Sequence, residues 1–341
     1  MRLLFFTFVA MIFSHAAPGG EKPDYVTDKP ELPKDEDAKY GWDGMLKGSG
    51  SFAFTHSDSM VGIRDGMNIN LGIAMNGGLD FLSEKGHMWQ SKLDWQLSYI
   101  YTDTLDSFTK GLDSLVIDSA YLYQIPKAKY LGPFASLTLK ATLFPGYDMS
   151  TSDTVVRYLD ADGNEEKTEL VEAKDKIDLT PGFAPATLRE SVGFFFDAMK
   201  IKPINIQFRL GVGAWETFVS DGYCLADDGS TPELEIKAMQ DSVQFGAELK
   251  AMLSGVLYKD IINYDFKLGL MYPFVHNVDT DMSGMDLFNI EIEAKVGFRI
   301  AKWLAIDYVL KAYHVPFIYD GWQVQNGIFL VVTVGILGKK G

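Results

Sequence analysis

Few residues of this chain have the types and spacing for bond-making chemistry. Beyond the first sixteen positions the histidines are His56, His87, His276 and His314. An imidazole with a serine and a carboxylate or amide could transfer an acyl group. His56 precedes Ser57 and His276 precedes Asn277, but neighbours on a strand point to opposite faces, so neither adjacency is a catalytic pairing. No HxH or HExxH spacing is present, so the histidines read as solvated loop or lumen residues. Cys224 is the one cysteine, which excludes disulfide staples and Cys-ligated metal centres. Asp160-Ala161-Asp162-Gly163-Asn164-Glu165-Glu166 superficially resembles a calcium loop. The same residues suit a hairpin tip between Val155–Tyr158 and Lys167–Val171, because Gly and Asn tolerate positive φ, and the hairpin is the preferred reading. Neither catalytic residue, nor metal ligand, nor cofactor is expected.

More informative is a set of charges at alternate positions within otherwise apolar segments. Lys92, Lys140, Arg189, Arg209, Lys250, Lys267, Lys295, Arg299 and Lys311 are matched by Asp80, Asp94, Asp118, Asp197, Glu248, Asp265, Glu291, Glu293 and Asp307, nine against nine. A strongly ion-selective pore needs an excess of one sign along its path. A balanced set predicts a lumen partly filled by cross-strand ion pairs.

The elements that position these charges are strands. Between 203 and 216, Ile204, Ile206, Phe208, Leu210, Val212 and Ala214 fall on one face and Asn205, Gln207, Arg209, Gly211 and Gly213 on the other. Segment 287–300 sets Phe288, Ile290, Ile292, Ala294, Val296 and Phe298 against Asn289, Glu291, Glu293, Lys295, Gly297 and Arg299. Ten further segments alternate with varying clarity, at about 49–57, 66–82, 88–102, 113–125, 132–144, 186–198, 239–255, 260–273, 303–313 and 324–337. Strict alternation over such lengths predicts a wall with lipid on one side and water on the other. A soluble β-sandwich also alternates, but its strands run about 5 or 6 residues. The fold class predicted is therefore all-β, a transmembrane up-and-down antiparallel barrel of twelve strands over 41–341. Twelve tilted strands give a backbone diameter of about 24 Å.

Short connections near 83–87, 126–131, 199–202, 256–259 and 301–302 alternate with long ones near 58–65, 103–112, 145–185, 214–238, 274–286 and 314–323. That rhythm predicts periplasmic turns and extracellular loops. Lysines gather in the short set (Lys85, Lys127, Lys129, Lys200, Lys202, Lys259, Lys302) and aspartates in the long one (Asp58, Asp65, Asp103, Asp106, Asp221, Asp227, Asp228, Asp279, Asp281, Asp320). Trp42, Trp89, Tyr123, Trp215, Tyr258, Tyr272, Trp303, Tyr313 and Trp322 lie near strand ends, where an aromatic girdle meets the membrane boundary.

An address precedes the barrel. Arg2, the eleven-residue apolar run Leu3–Phe13 and the small residues Ser14 and Ala16 form a Sec-type signal peptide over 1–16. Residues 17–40, with Pro18, Pro23, Pro30 and Pro33 and mixed charge, read as a periplasmic linker. With 31 Lys plus Arg against 46 Asp plus Glu and a net charge of -15, nothing favours nucleic acid.

Several stretches run in an order of their own: Met88-Trp89 before the Gln90–Tyr101 strand, Thr142-Leu143-Phe144-Pro145-Gly146-Tyr147 closing a strand, and Phe183-Ala184-Pro185-Ala186 opening the next. The hairpin from Gly193-Phe194-Phe195-Phe196 through Lys200-Ile201-Lys202-Pro203 to Arg209-Leu210-Gly211 follows. Over about residues 42 to 213 the chain resembles an uncharacterised family of Gram-negative outer-membrane barrel proteins, a domain of unknown function common in Bacteroidetes and their relatives. Ser57-Asp58-Ser59-Met60 stands where that family usually has an Asn-Trp pair. The resemblance implies the cell outer membrane and a barrel, without an established chemistry. Outer-membrane lipid and lipopolysaccharide, and the barrel-assembly machinery, are the expected partners. The expected function is a narrow channel or transport conduit for a small polar solute. A non-conducting structural or adhesive barrel and a rim-site hydrolase are the alternatives.

Overall fold

The computed structural model describes residues 40–57, 66–102, 105–226, 231–259, 261–278, 282, 284–301, 303–317 and 319–338. The expected signal peptide, most of the linker and the 58–65 connection lie outside the described residues. In chain order the strands are β1 (Gly41–Ser57), β2 (Gly66–Leu82), β3 (His87–Thr102), β4 (Ser107–Tyr123), β5 (Leu131–Ala141), β6 (Gly146–Met149), β7 (Thr154–Leu159), β8 (Glu165–Val171) and β9 (Lys176–Thr180). They continue as β10 (Ala186–Ile201), β11 (Ile204–Phe218), β12 (Tyr223–Leu225), β13 (Leu234–Ala238), β14 (Ser242–Leu257), β15 (Ile262–His276), β16 (Asn289–Ala301), β17 (Leu304–Val315) and β18 (Tyr319–Gly338). The one helical element among the described residues is a four-residue 3-10 turn, Gly284–Leu287.

Twelve strands close into an antiparallel barrel in the order β1-β2-β3-β4-β5-β10-β11-β14-β15-β16-β17-β18, with β18 returning to β1. Each pairs with the next barrel strand along the chain, so the meander is up-and-down throughout. Directly paired residues share a face, and the registers propagate one inside and one outside around the wall. Gly78, Lys92 and Asp118 pair in turn on the inside, as do Gly269, Glu291 and Tyr313. Ile73, Trp89, Val192, Phe194, Leu210, Phe266, Ile292 and Ile328 point outward and are exposed. A band of exposed apolar residues around a closed wall is stable only against an apolar surround.

The strands begin and end differently from their sequence expectation at several points. β1 starts at Gly41 rather than about 49, and β4 at Ser107 rather than about 113. Gly44, Gly48 and Gly50 take outward positions of β1 and bring no side chain to show alternation. The connections expected at 103–112 and 314–323 accordingly shrink to the residues between Thr102 and Ser107 and between Val315 and Tyr319.

Two of the long connections are not loops but a second layer of structure. β7, β8, β12 and β13 form a four-stranded sheet in the order β12-β13-β7-β8, in which β13 and β7 pair in parallel and so join the β5–β10 connection to the β11–β14 connection. Val156, Tyr158, Val171, Ile177 and Ile236 make its core, with Leu179, Tyr223 and Leu234 packed against them. Burial of side chains of this size contributes about 1.5–3 kcal/mol each, which lets a small sheet hold its shape. Arg157 ties it further, 3.0 Å from Glu235 and 3.3 Å from Glu233. Lys167 sits 3.9 Å from the Tyr158 ring centre, and burial raises the Tyr158 hydroxyl pKa. The Asp160–Asn164 tip is a hairpin turn as expected. The Asp160 carboxylate accepts the side-chain amide of Asn164 and the N–H groups of Asn164 and Asp162, and these bonds hold its pKa below the usual carboxylate value. Gly163 has φ of 90°.

Candidate functional site

Among the described residues, the inside of the barrel is the enclosed surface that gathers charged side chains. By register Lys92, Asp94, Lys140, Arg189, Arg209, Glu248, Lys250, Asp265, Lys267, Glu291, Glu293, Lys295, Arg299, Asp307 and Lys311 all occupy inward positions. Strand periodicity delivers them there: each lies an even number of residues from another inward position on its own strand.

In the half of the barrel nearer the long connections the charges meet across the lumen rather than only along neighbouring strands. The Arg189 guanidinium, on β10, donates through both terminal nitrogens to the Glu291 carboxylate on β16. Lys140 of β5 lies 3.1 Å from Glu291 and 3.5 Å from Glu293. Neither β5 nor β10 touches β16 in the wall, so these bonds span open cross-section. Lys267 reaches Glu293 at 3.4 Å, the Tyr313 hydroxyl donates to Glu293 at 3.1 Å, and Lys295 pairs with Asp307 at 2.9 Å. A forked guanidinium on a carboxylate fixes direction as well as distance, which suits a group bridging a gap.

Trp215 and Glu248 extend this layer. The Arg189 guanidinium stacks 3.7 Å from the Trp215 ring centre, and the indole N–H and the Ser191 hydroxyl both donate to Glu248. Towards the long-connection end Asn289 donates to Gln244 at 2.7 Å and contacts the Met271 sulfur. Trp215 and Tyr313 were expected in the aromatic girdle, and both are instead inward residues that pair with Gln244 and Glu291. Their parity, odd with Arg209 and with Asp307, carries that placement.

A different chemistry occupies the inside near the short-turn end. Met88, Ala120, Leu122, Phe134 and Phe195 form a buried apolar cluster, and Met88, Leu122 and Phe134 pair in turn on the inner face. The Arg209 guanidinium lies 5.6 Å from the Phe134 ring centre, and its Nε donates to Gln207, which donates to Asp197 at 2.6 Å. A small core therefore lies on the inner face of β3, β4, β5 and β10, which alternation alone did not reveal because an inward Leu or Phe looks like a strand irregularity.

On β1 and β2 small residues share the inner face with Met45, Asn76 and Asp80. Ser49 and Ser51 of β1 and Gly72, Ala74 and Gly78 of β2 face inward. Asp94 is exposed, and the side chains of Lys267 and Lys295 are 44% and 46% exposed although they point into a closed barrel. By contrast Arg189 and Glu291 are 6% and 12% exposed. Asp94 lies within Coulombic reach of Lys267, Lys295 and Lys311 on the facing strands. Two further inward charges, Asp43 and Lys47 of β1, were missed because that strand shows no apolar alternation.

The outer face is not wholly apolar. Glu190 pairs with Ala214, and Glu216 with Leu188, on the outside of β10 and β11 near the long-connection end. The histidines sit at strand ends. His87 bonds the Tyr121 hydroxyl at 2.6 Å, His276 the Val278 carbonyl at 2.9 Å, and His314 the Gly321 carbonyl at 3.3 Å. Cys224 lies in β12 opposite Lys237, where burial raises its pKa.

No protein-family model matches the sequence, and no curated protein matches it. Among solved structures, the chain is similar to an outer-membrane channel from Pseudomonas putida F1 at 9% identity and a TM-score of 0.38, covering 89% of this chain and 99% of that one. It is also similar to the translocator domain of the autotransporter NalP from Neisseria meningitidis (8% identity, TM-score 0.35, 88% and 89% covered). The third is OccK5 of Pseudomonas aeruginosa (9% identity, TM-score 0.26, 87% and 99% covered).

Proposed function

We propose that the chain is an integral outer-membrane barrel and a narrow aqueous conduit for a small polar solute, with no catalytic role. The exposed band of apolar residues supports the membrane placement. One observation supports the conduit: the inward side chains of Lys267 and Lys295, though ion-paired to Glu293 and Asp307, remain nearly half exposed, which calls for water-sized space inside the wall. Ser49, Ser51, Gly72, Ala74 and Asp94 lie on the β1–β3 side of the lumen and Lys267 and Lys295 on the facing strands β15 and β16. Charges of both signs line it, so it favours neutral or zwitterionic solutes over either ion class. The cross-lumen bonds of Arg189, Lys140, Glu291 and Glu293 and the apolar cluster around Phe195 restrict the remaining cross-section, which keeps the passage narrow.

Planar-bilayer recording of the purified protein tests this. Small, discrete conductance steps with weak ion selectivity are expected, and Lys267→Glu with Lys295→Glu should turn that weak selectivity towards cations. An electrically silent, fully folded barrel would favour the structural or adhesive alternative.

A further inference from the structure

Asp94 differs from the inward carboxylates that cross the lumen. It is exposed, no ion pair joins it to a cation among the described residues, and its carboxylate meets only the side-chain amide of Gln96, at 3.5 Å, the weak limit of a hydrogen bond. Lys140 stands in the same cross-strand row two strands away, since Asp94 pairs with Val116 and Val116 with Lys140. The long Lys140 side chain reaches over the lumen to Glu291 and Glu293. Aspartate is the shortest charged side chain and valine is apolar, so beside that bridge the gap stays open. On the facing wall are Lys267 and Lys295. Lys267 pairs directly with Glu293 across β15 and β16, and Lys295 lies two residues further along β16. Both feel the Asp94 charge through space, but neither makes an ion pair with it.

The two sides of this gap have hydrogen-bonding capacity to spare, of opposite kinds. An ammonium carries three donors. Lys267 commits one to Glu293 and Lys295 one to Asp307, and with nearly half of each side chain exposed the remaining donors face water. A carboxylate offers about four acceptor sites, and Asp94 has one weak donor against them. A plain anion on the two lysines would stand against Asp94, and a plain cation on Asp94 would stand against the lysines; like charges set face to face repel. A molecule with an ammonium at one end and a carboxylate at the other satisfies both walls at once.

We propose that the gap between Asp94 and the facing pair Lys267 and Lys295 is a binding site for a small amino acid, its ammonium on Asp94 and its carboxylate on the two lysines. This rests on the water-filled lumen proposed above but not on flow through it.

Ligand-detected NMR titration of the folded full-length barrel with glycine, 4-aminobutyrate and 6-aminohexanoate, and with butyrate and butylamine as single-charge controls, tests the site. The best-fitting amino acid should bind more tightly than either control by about tenfold, or about 1.4 kcal/mol, and its length measures the gap. Asp94→Asn keeps the shape and should bring that amino acid down to the level of butyrate, whereas Lys267→Gln with Lys295→Gln should bring it down to the level of butylamine. Should the double variant not fold, as read by heat-modifiable gel mobility, Asp94→Lys at the exposed position takes its place: amino-acid preference should vanish and butyrate should bind more tightly than to the parent. Amino acids that bind no better than the controls, or a preference that survives Asp94→Asn, would overturn the site. Bilayer recording of the same preparations separates the two ideas. Conductance steps from a barrel without the preference remove the amino-acid site alone, and a preference that Asp94→Asn abolishes, found on a silent barrel, removes the conduit alone.

Discussion

Arg189 shows what a single side chain does in this lumen. Its guanidinium is held by Glu291 on one side and lies against Trp215 on the other, and both carboxylate and guanidinium are nearly enclosed. In such a setting removal of one partner costs more than the pair itself is worth, because the other charge stays behind unpaired. Arg189→Ala leaves Glu291 with Lys140 alone. The expected outcome is a loss of about 3 kcal/mol in folding stability, read by urea titration of heat-modifiable gel mobility, together with larger conductance steps, since the group that bridges β10 to β16 is gone. Arg189→Lys should recover charge but not the two-pronged geometry, and so restore only part of the stability. The need for Arg rather than Lys at 189 was not legible in sequence. Alternation places the residue on the inner face, but its partner lies 102 positions away and six strands later, a pairing that only closure of the barrel creates.

At the scale of the element, alternation was legible wherever both faces carried distinct side chains. β11, β15 and β16 appear within a few residues of their expected limits because Ile, Phe and Leu alternate there with charge. β1 was half-hidden because glycine fills its outward positions, and the inward Leu122, Phe134 and Phe195 were unreadable because an apolar residue on the polar face breaks the pattern without saying why. Bulges add to this. Register shifts between Ser98 and Tyr99, between Asp197 and Met199 and between Arg299 and Ala301 change which face the next residue takes. β2 gives a clean test of face, since Ile73 points outward near its middle and Asn76 points inward beside Lys47 and Asp94. Ile73→Lys should cost about 2 to 4 kcal/mol of insertion, as expected for Lys near the bilayer midplane, whereas Asn76→Lys adds a cation beside an exposed carboxylate in water and should insert as the parent does. Folding yield into vesicles, followed by gel mobility, compares the two. Equal losses would overturn the face assignment, and reversed losses would mean that the inner and outer faces have been exchanged.

At the scale of the whole molecule, an even number of strands puts both ends of the barrel chain on the same side as the short turns. Those turns carry Lys85, Lys127, Lys129, Lys202 and Lys259. The opposite end carries the β7–β8–β12–β13 sheet, which needs a core of its own precursors, Val156 and Ile236, and could not fold while threaded through a bilayer. On the proposed orientation the chain would arrive from the periplasmic side, so the sheet would have to pass through as unfolded chain and assemble outside, where parallel pairing of β13 with β7 joins two connections that are far apart in sequence. An epitope placed at Gly163, where nothing lies within 4 Å of an added Cβ, should be labelled on intact cells. One placed at Lys127, in the exposed turn between β4 and β5, should be reached only after the outer membrane is permeabilised. Labelling of Lys127 on intact cells would invert the barrel. The four-stranded sheet would then assemble in the periplasm, and no part of it would have to cross the membrane.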